Sequence, residues 1–321
     1  MPYPVGISIG HTYLTSAYYT DADELIPIAR IVANNEWQTF FSQTWGTDDD
    51  RLNPPSVNKS EVVSLFRATL QQIKNATEEI LNKTVDINSI AIPAHFHSLS
   101  RTLRQAAVEE GLITVYQQAI HSLDADRLAY DLDSCSGFKL PPNETCDVED
   151  LNLVLVFNYE PERLSVAMVE VGLYICSPHN FEHYLQFGEM NGSILDPARQ
   201  QELSRILKHY LEVVSKEREK QWHTPDVLQY LRAVVLSGEA SDAGMQEMRF
   251  ALVTALPEYQ DKFRMSLDPH FVGTFGAAQM ARHVVQNPEF MRPQQDFVVP
   301  DEYVHEELRA VFWSCCSIEI S

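Results

Sequence analysis

Nowhere in this chain do apolar residues run on for the roughly eighteen positions that a membrane-spanning helix needs. Its first residues carry neither a basic stretch nor an apolar core of the secretory kind, which reads as a chain without a leader. Positive charge is short as well: Lys+Arg 24 stand against Asp+Glu 45, a net charge of -21. Such a field repels nucleic acid and anionic lipid, so neither is an expected partner, and it gives free ATP no long-range attraction. The cysteines are few and odd in number, at Cys135, Cys146, Cys176, Cys315 and Cys316. An odd count without a leader implies reduced thiols and a cytoplasmic protein. In that compartment the N-x-S/T sequons at Asn75, Asn82, Asn143 and Asn191 carry no meaning. Asp48-Asp49-Asp50 reads as a solvated loop, and no metal site is expected.

What is present suits an ordinary globular protein of about two domains, with 45% hydrophobic and 21% charged residues in 321. The most informative stretch runs from Val85 to Asp133. A short apolar run, Ile87–Ile92, stops at Pro93; a helix-forming run from Arg101 closes at Gly111; Thr114-Val115-Tyr116 is apolar again; and Asp124–Tyr130 reads as helix. Strand, helix, strand, helix in so few residues is the pattern of an α/β layer. Upstream, Val5–Ile9 and Tyr13–Tyr19 read as a hairpin turning at Gly10, and Val62, Leu65-Phe66, Leu70 and Ile73 mark one face of a helix. Downstream, Leu151–Asn158 is a buried strand paired with Leu164–Gly172, and a long amphipathic helix follows from Ser193. Leu231–Gly238 is another buried strand, and Met245, Met248, Leu252 and Leu256 belong to a core-facing helix.

Ile92-Pro93-Ala94-His95-Phe96, Arg104-Gln105-Ala106 and Leu128-Ala129-Tyr130-Asp131-Leu132-Asp133, in this order and spacing, resemble the nucleotide-binding domain of the DnaK-type heat-shock chaperones. The resemblance covers about 5–19 and 60–282. It implies an α/β, actin-like chaperone ATPase-domain fold: two lobes of ribonuclease-H-like mixed sheet, flanked by helices, around a central cleft. Lobe I would be 1–150, with a returning helix 271–286 at the hinge, lobe II 151–270, and 287–321 a C-terminal arm. Only about forty residues separate Phe157 from the long helix, too few for the family's upper helical subdomain in lobe II. No substrate-binding domain or lid is expected.

The same resemblance assigns a residual nucleotide site to Gly10, Thr12, Tyr13, Gly238 and Gly276. It also exposes losses. Ser8 stands where the family has a metal-water aspartate, Ser122 where a glutamate positions the attacking water, and Asn158 where a second aspartate sits. The second phosphate loop reads Phe157-Asn158-Tyr159-Glu160-Pro161-Glu162-Arg163 in place of Phe-Asp-Leu-Gly-Gly-Gly-Thr. Glycines let a backbone approach phosphate closely, and Glu160 and Glu162 would repel one. Phosphoryl transfer rests on positioning and charge neutralisation, so these changes should stop turnover.

The expectation is a pseudo-ATPase acting as a binding or scaffold module, with no cofactor required, residual ATP or ADP binding allowed, and a protein or a small molecule in the interlobe cleft as partner. An alternative makes the cleft an enzyme of another kind. His11, His95 and His121 replace three family residues that face it and could converge with Glu160, Glu162 or Glu239 for acid–base or cyclisation chemistry. A weak ATPase with relocated ligands is the remaining reading.

Overall fold

The computed structural model describes residues 4–20, 24–45, 59–94, 99–113, 118–140, 147, 151–172 and 176–287. The chain divides into two compact units, one running to Ala129 and resuming at Phe271, the other spanning Tyr130–His270. The described part of 130–150 therefore goes with the second unit. Its anchor is visible: the buried Arg264 guanidinium donates to the carbonyls of Phe138 at 2.7 Å and Arg232 at 3.1 Å.

In the first unit β1 (Val5–Ile9), β2 (Tyr13–Tyr19) and β3 (Leu25–Val32) form an antiparallel meander. Two helices follow, α1 (Asn35–Trp45) and α2 (Lys59–Leu81), and lead to β4 (Ile87–Ile92), parallel to β1. After α3 (Ser100–Glu109) comes β5 (Ala119–His121), parallel to β4, and then α4 (Ser122–Ala129). Tight turns make antiparallel neighbours and helical crossovers make parallel ones, hence the order β3-β2-β1-β4-β5. On α2, Val62, Phe66, Leu70 and Ile73 recur at helical spacing and are all buried. They meet Trp37, Phe40 and Phe41 of α1 in one core.

The second unit begins with α5 (Cys135–Phe138) and then repeats this plan. Its meander is β6 (Leu153–Tyr159), β7 (Leu164–Val171) and β8 (Cys176–Tyr184). The crossover helix α6 (Pro197–Trp222) leads to β9 (Leu231–Gly238), parallel to β6, and α7 (Asp242–Ala255) to β10 (Phe263–Arg264), parallel to β9. The order β10-β9-β6-β7-β8 is the first sheet's order read from the other edge. Asp196 starts α6 by accepting from the N–H groups of Ala198 and Arg199, with Pro197 in the first turn. Leu203, Leu207, Tyr210, Leu211 and Val214 of α6 enter a core with Leu155, Phe157, Met245 and Met248.

The last described helix, α8 (Val272–Gln286), returns to the first unit and packs on β1, β4 and α4. The contact is backbone to backbone: a Cβ on Gly276 would stand 1.8 Å from the Ala125 carbonyl oxygen. Only glycine fits there. The chain is thus α/β, with two mixed five-stranded sheets flanked by helices. No helix among the described residues is long and apolar enough to cross a membrane.

The thiol expectation needs correction. Cys135 is disulfide-bonded, while Cys176 is a buried thiol at the start of β8. Cysteine parity limits only how many can be paired; which ones meet depends on chain geometry.

Candidate functional site

The meander of each unit begins with a hairpin whose turn lies at the end of the central strand, where β4 and β9 also end. In the first unit the β1–β2 turn is closed by the Gly10 N–H, which donates to the Tyr13 carbonyl at 3.0 Å. The Gly10 carbonyl accepts the Trp37 indole N–H at 2.7 Å, and the Thr12 carbonyl accepts from the Ala33 N–H at 2.9 Å. His11 is buried; its ring stacks on Phe41 at 4.8 Å and its Nε2 lies 3.0 Å from Ser42 Oγ. The Tyr13 ring carries the Arg30 guanidinium at 4.0 Å. Gly10, His11, Thr12 and Tyr13 are therefore engaged by α1 and β3 through packing and hydrogen bonds.

His121 ends β5 opposite Ile92 and is half-buried, and the next residue, Ser122, accepts the Ala94 N–H at 3.1 Å. His95 lies outside the described residues. His11 and His121 belong to the first unit, and Glu160 and Glu239 to the second.

In the second unit the β6–β7 turn holds a buried ion pair, Arg163 Nη2 to Glu160 Oε2 at 2.5 Å. Burial pushes the Glu160 carboxyl above its ordinary range, with Arg163 only partly opposing it, and burial likewise lowers the Arg163 guanidinium. Glu162 and Glu239 act on Arg163 in the same direction as Glu160, favouring its charged form. The turn is closed by Glu160 N–H donating to Arg163 O at 2.9 Å. Its outward carbonyls are taken up by residues 189–190: Glu189 N–H reaches Glu160 O at 3.3 Å, and Met190 N–H reaches Pro161 O at 2.8 Å.

Gly238 ends β9 with φ +133, and a Cβ there would stand 2.1 Å from the Tyr159 carbonyl oxygen. That carbonyl accepts the N–H groups of Glu239 at 2.9 Å and Ala240 at 3.1 Å. The Tyr159 phenol is pushed up to about 12, first by burial and then by Glu189. Ser241 caps α7, its Oγ accepting the Gly244 N–H at 3.1 Å. The Glu189 carboxylate completes the cap, accepting the Ser241 N–H at 2.8 Å and the Ser241 hydroxyl. The positive end of the helix dipole is thus met by a carboxylate of the same chain. His270 closes the cluster, with Nε2 at 2.9 Å from Asp242 Oδ1 and Nδ1 at 3.3 Å from the Gly238 carbonyl.

Three contributors escaped the sequence. Glu189 and His270 lie in non-periodic segments, and their partners are 52 and 28 residues away. Arg163 lies in a turn where the charges of Glu160 and Glu162 were the only legible signal. Among the described residues no group of three or more His, Cys, Asp or Glu could hold a metal ion. The chain matches no protein-family model, and no curated protein matches it.

Proposed function

We propose that this protein is a chaperone-like pseudo-ATPase: an actin-like fold whose nucleotide site has been filled from within, leaving a binding or scaffold module that works through protein partners. The repeated sheet plan, an antiparallel meander followed by two parallel crossovers in each unit, supports the actin-like reading together with the DnaK-type motifs. One observation carries the loss of nucleotide. At the β6–β7 turn, a phosphate would need backbone N–H groups turned towards it. Here Glu160 N–H closes the turn, the carbonyls face outward to Glu189 and Met190, and the Glu160–Arg163 pair fills the interior.

Against the acid–base alternative stands the setting of His11, which lies against Phe41 and Ser42. Calorimetric titration with Mg-ATP and Mg-ADP, followed by a phosphate-release assay, tests the reading. No release, with absent or weak binding, is expected; steady release from the purified chain would overturn it.

A further inference from the structure

We infer that the loop 185–192 is a preformed anchor for a protein partner, one that offers an apolar pocket rimmed by lysine or arginine. This goes beyond the pseudo-ATPase reading and stands whether or not nucleotide binds.

The loop is ordered without being buried. It contains two short 3₁₀ turns, Leu185–Phe187 and Glu189–Asn191, and of its side chains Phe187 alone enters the core. Hydrogen bonds to its backbone hold the rest. The Arg199 guanidinium donates to the carbonyls of Gln186 at 2.9 Å, Gly188 at 3.4 Å and Gly192, and the Asn191 carboxamide donates to the Leu185 carbonyl at 2.8 Å. The N–H groups of Glu189 and Met190 are tied to the β6–β7 turn, where a Cβ on Gly188 would stand 2.1 Å from the Glu162 carbonyl carbon. Yet Leu185 is 65% exposed and Met190 78% exposed.

Two large apolar side chains on a fixed backbone gain nothing from the fold while they stand in water. A fixed backbone also loses little freedom on docking, which is how interface anchors reach their affinity. The unbranched methionine chain adapts to the pocket it meets.

Charge selects the partner. Carboxylates flank the loop: Glu162 follows Pro161, whose carbonyl accepts the Met190 N–H; Glu182 accepts from the hydroxyl of Tyr184, just before the loop; Glu247 accepts from that of Ser193, just after it. The whole chain carries -21. Like charge opposes a second copy or an anionic membrane, whereas a basic rim around an apolar pocket complements both the acids and the anchors.

The test places a diazirine-bearing side chain at position 190 of the full chain, in the cells that make it, with the exposed Ile80 position as control, and maps the residues it joins on irradiation. Cross-links from position 190, and not from 80, to apolar residues flanked by Lys or Arg on another protein are expected. Titrated with the purified protein so joined, Leu185→Ser with Met190→Ser should bind about tenfold more weakly or worse, at an unchanged urea midpoint. Glu162→Gln with Glu182→Gln should weaken binding and flatten its salt dependence, and Val32→Ser with Ile80→Ser should bind as the parent does. Four results would overturn the inference: no cross-link above the control, cross-links to lipid or to a second copy, a serine pair that binds as tightly as the parent, or one that lowers the urea midpoint.

Discussion

The first hairpin turns of the two units occupy equivalent places in one repeated sheet plan, yet they are filled by different physics. At Gly10-His11 the neighbouring helix does it with rings: Trp37 binds a carbonyl and Phe41 stacks on the imidazole. At Glu160–Arg163 the turn is filled by its own ion pair, and a distant segment takes up its carbonyls. An aromatic filling keeps its burial energy whatever its neighbours carry. A buried ion pair holds only while both members remain, because either charge alone is costly to bury.

The parallel extends to the second hairpins. The β2–β3 and β7–β8 pairings both shift register, at Ser16/Ala17 and at Val166/Met168. In both a hydroxyl from the crossover helix reaches the irregularity: Thr77 of α2 bonds Ser16, and Tyr210 of α6 accepts the Met168 N–H at 2.7 Å and donates to Asn180 O at 2.6 Å. Two units with unlike sequences met the same geometric problem from the same helix.

The largest effect should come from breaking the ion pair on one side. Arg163→Ala leaves Glu160 buried and is expected to cost about 3–5 kcal/mol in urea unfolding, whereas replacing both Glu160 and Arg163 by methionine should restore most of that. Next, Tyr210→Phe strands the Met168 N–H at the bulge and should cost about 1–3 kcal/mol; Thr77→Val, whose Ser16 partner is itself a hydroxyl, should cost less by the same measurement. His11→Ala gives up a ring stack and a hydrogen bond and should cost about 1–2 kcal/mol, with no loss of secondary structure by circular dichroism.

The smallest signal is in pH. A carboxyl held above its unfolded value keeps its proton in the folded state to higher pH, so folding weakens as pH rises from about 4.5 through the folded value. Glu160→Gln should flatten that part of the stability–pH curve. An unchanged slope would place the effect elsewhere, since the first unit's turn carries no carboxylate.

How much of this was legible beforehand follows from the kind of signal each element sends. The strands Val5–Ile9, Leu153–Tyr159 and Leu231–Gly238 are central and almost wholly buried, so they read as apolar runs. The edge strands did not. Leu25–Val32 carries Pro27 and is half-exposed, and Cys176–Tyr184 reads CSPHNFEHY, with no apolar alternation to betray it. Both owe their extended form to pairing with β2 and β7.

By itself, then, the sequence determined the buried central strands, the amphipathic helices and the small residues at Gly238 and Gly276, because local periodicity and residue chemistry are written in neighbouring positions. Only the tertiary structure decided that His11 stacks on Phe41, that Glu189 caps a helix 52 residues away, and that Cys135 is bridged. Those outcomes depend on distances between parts of the chain that local patterns do not encode.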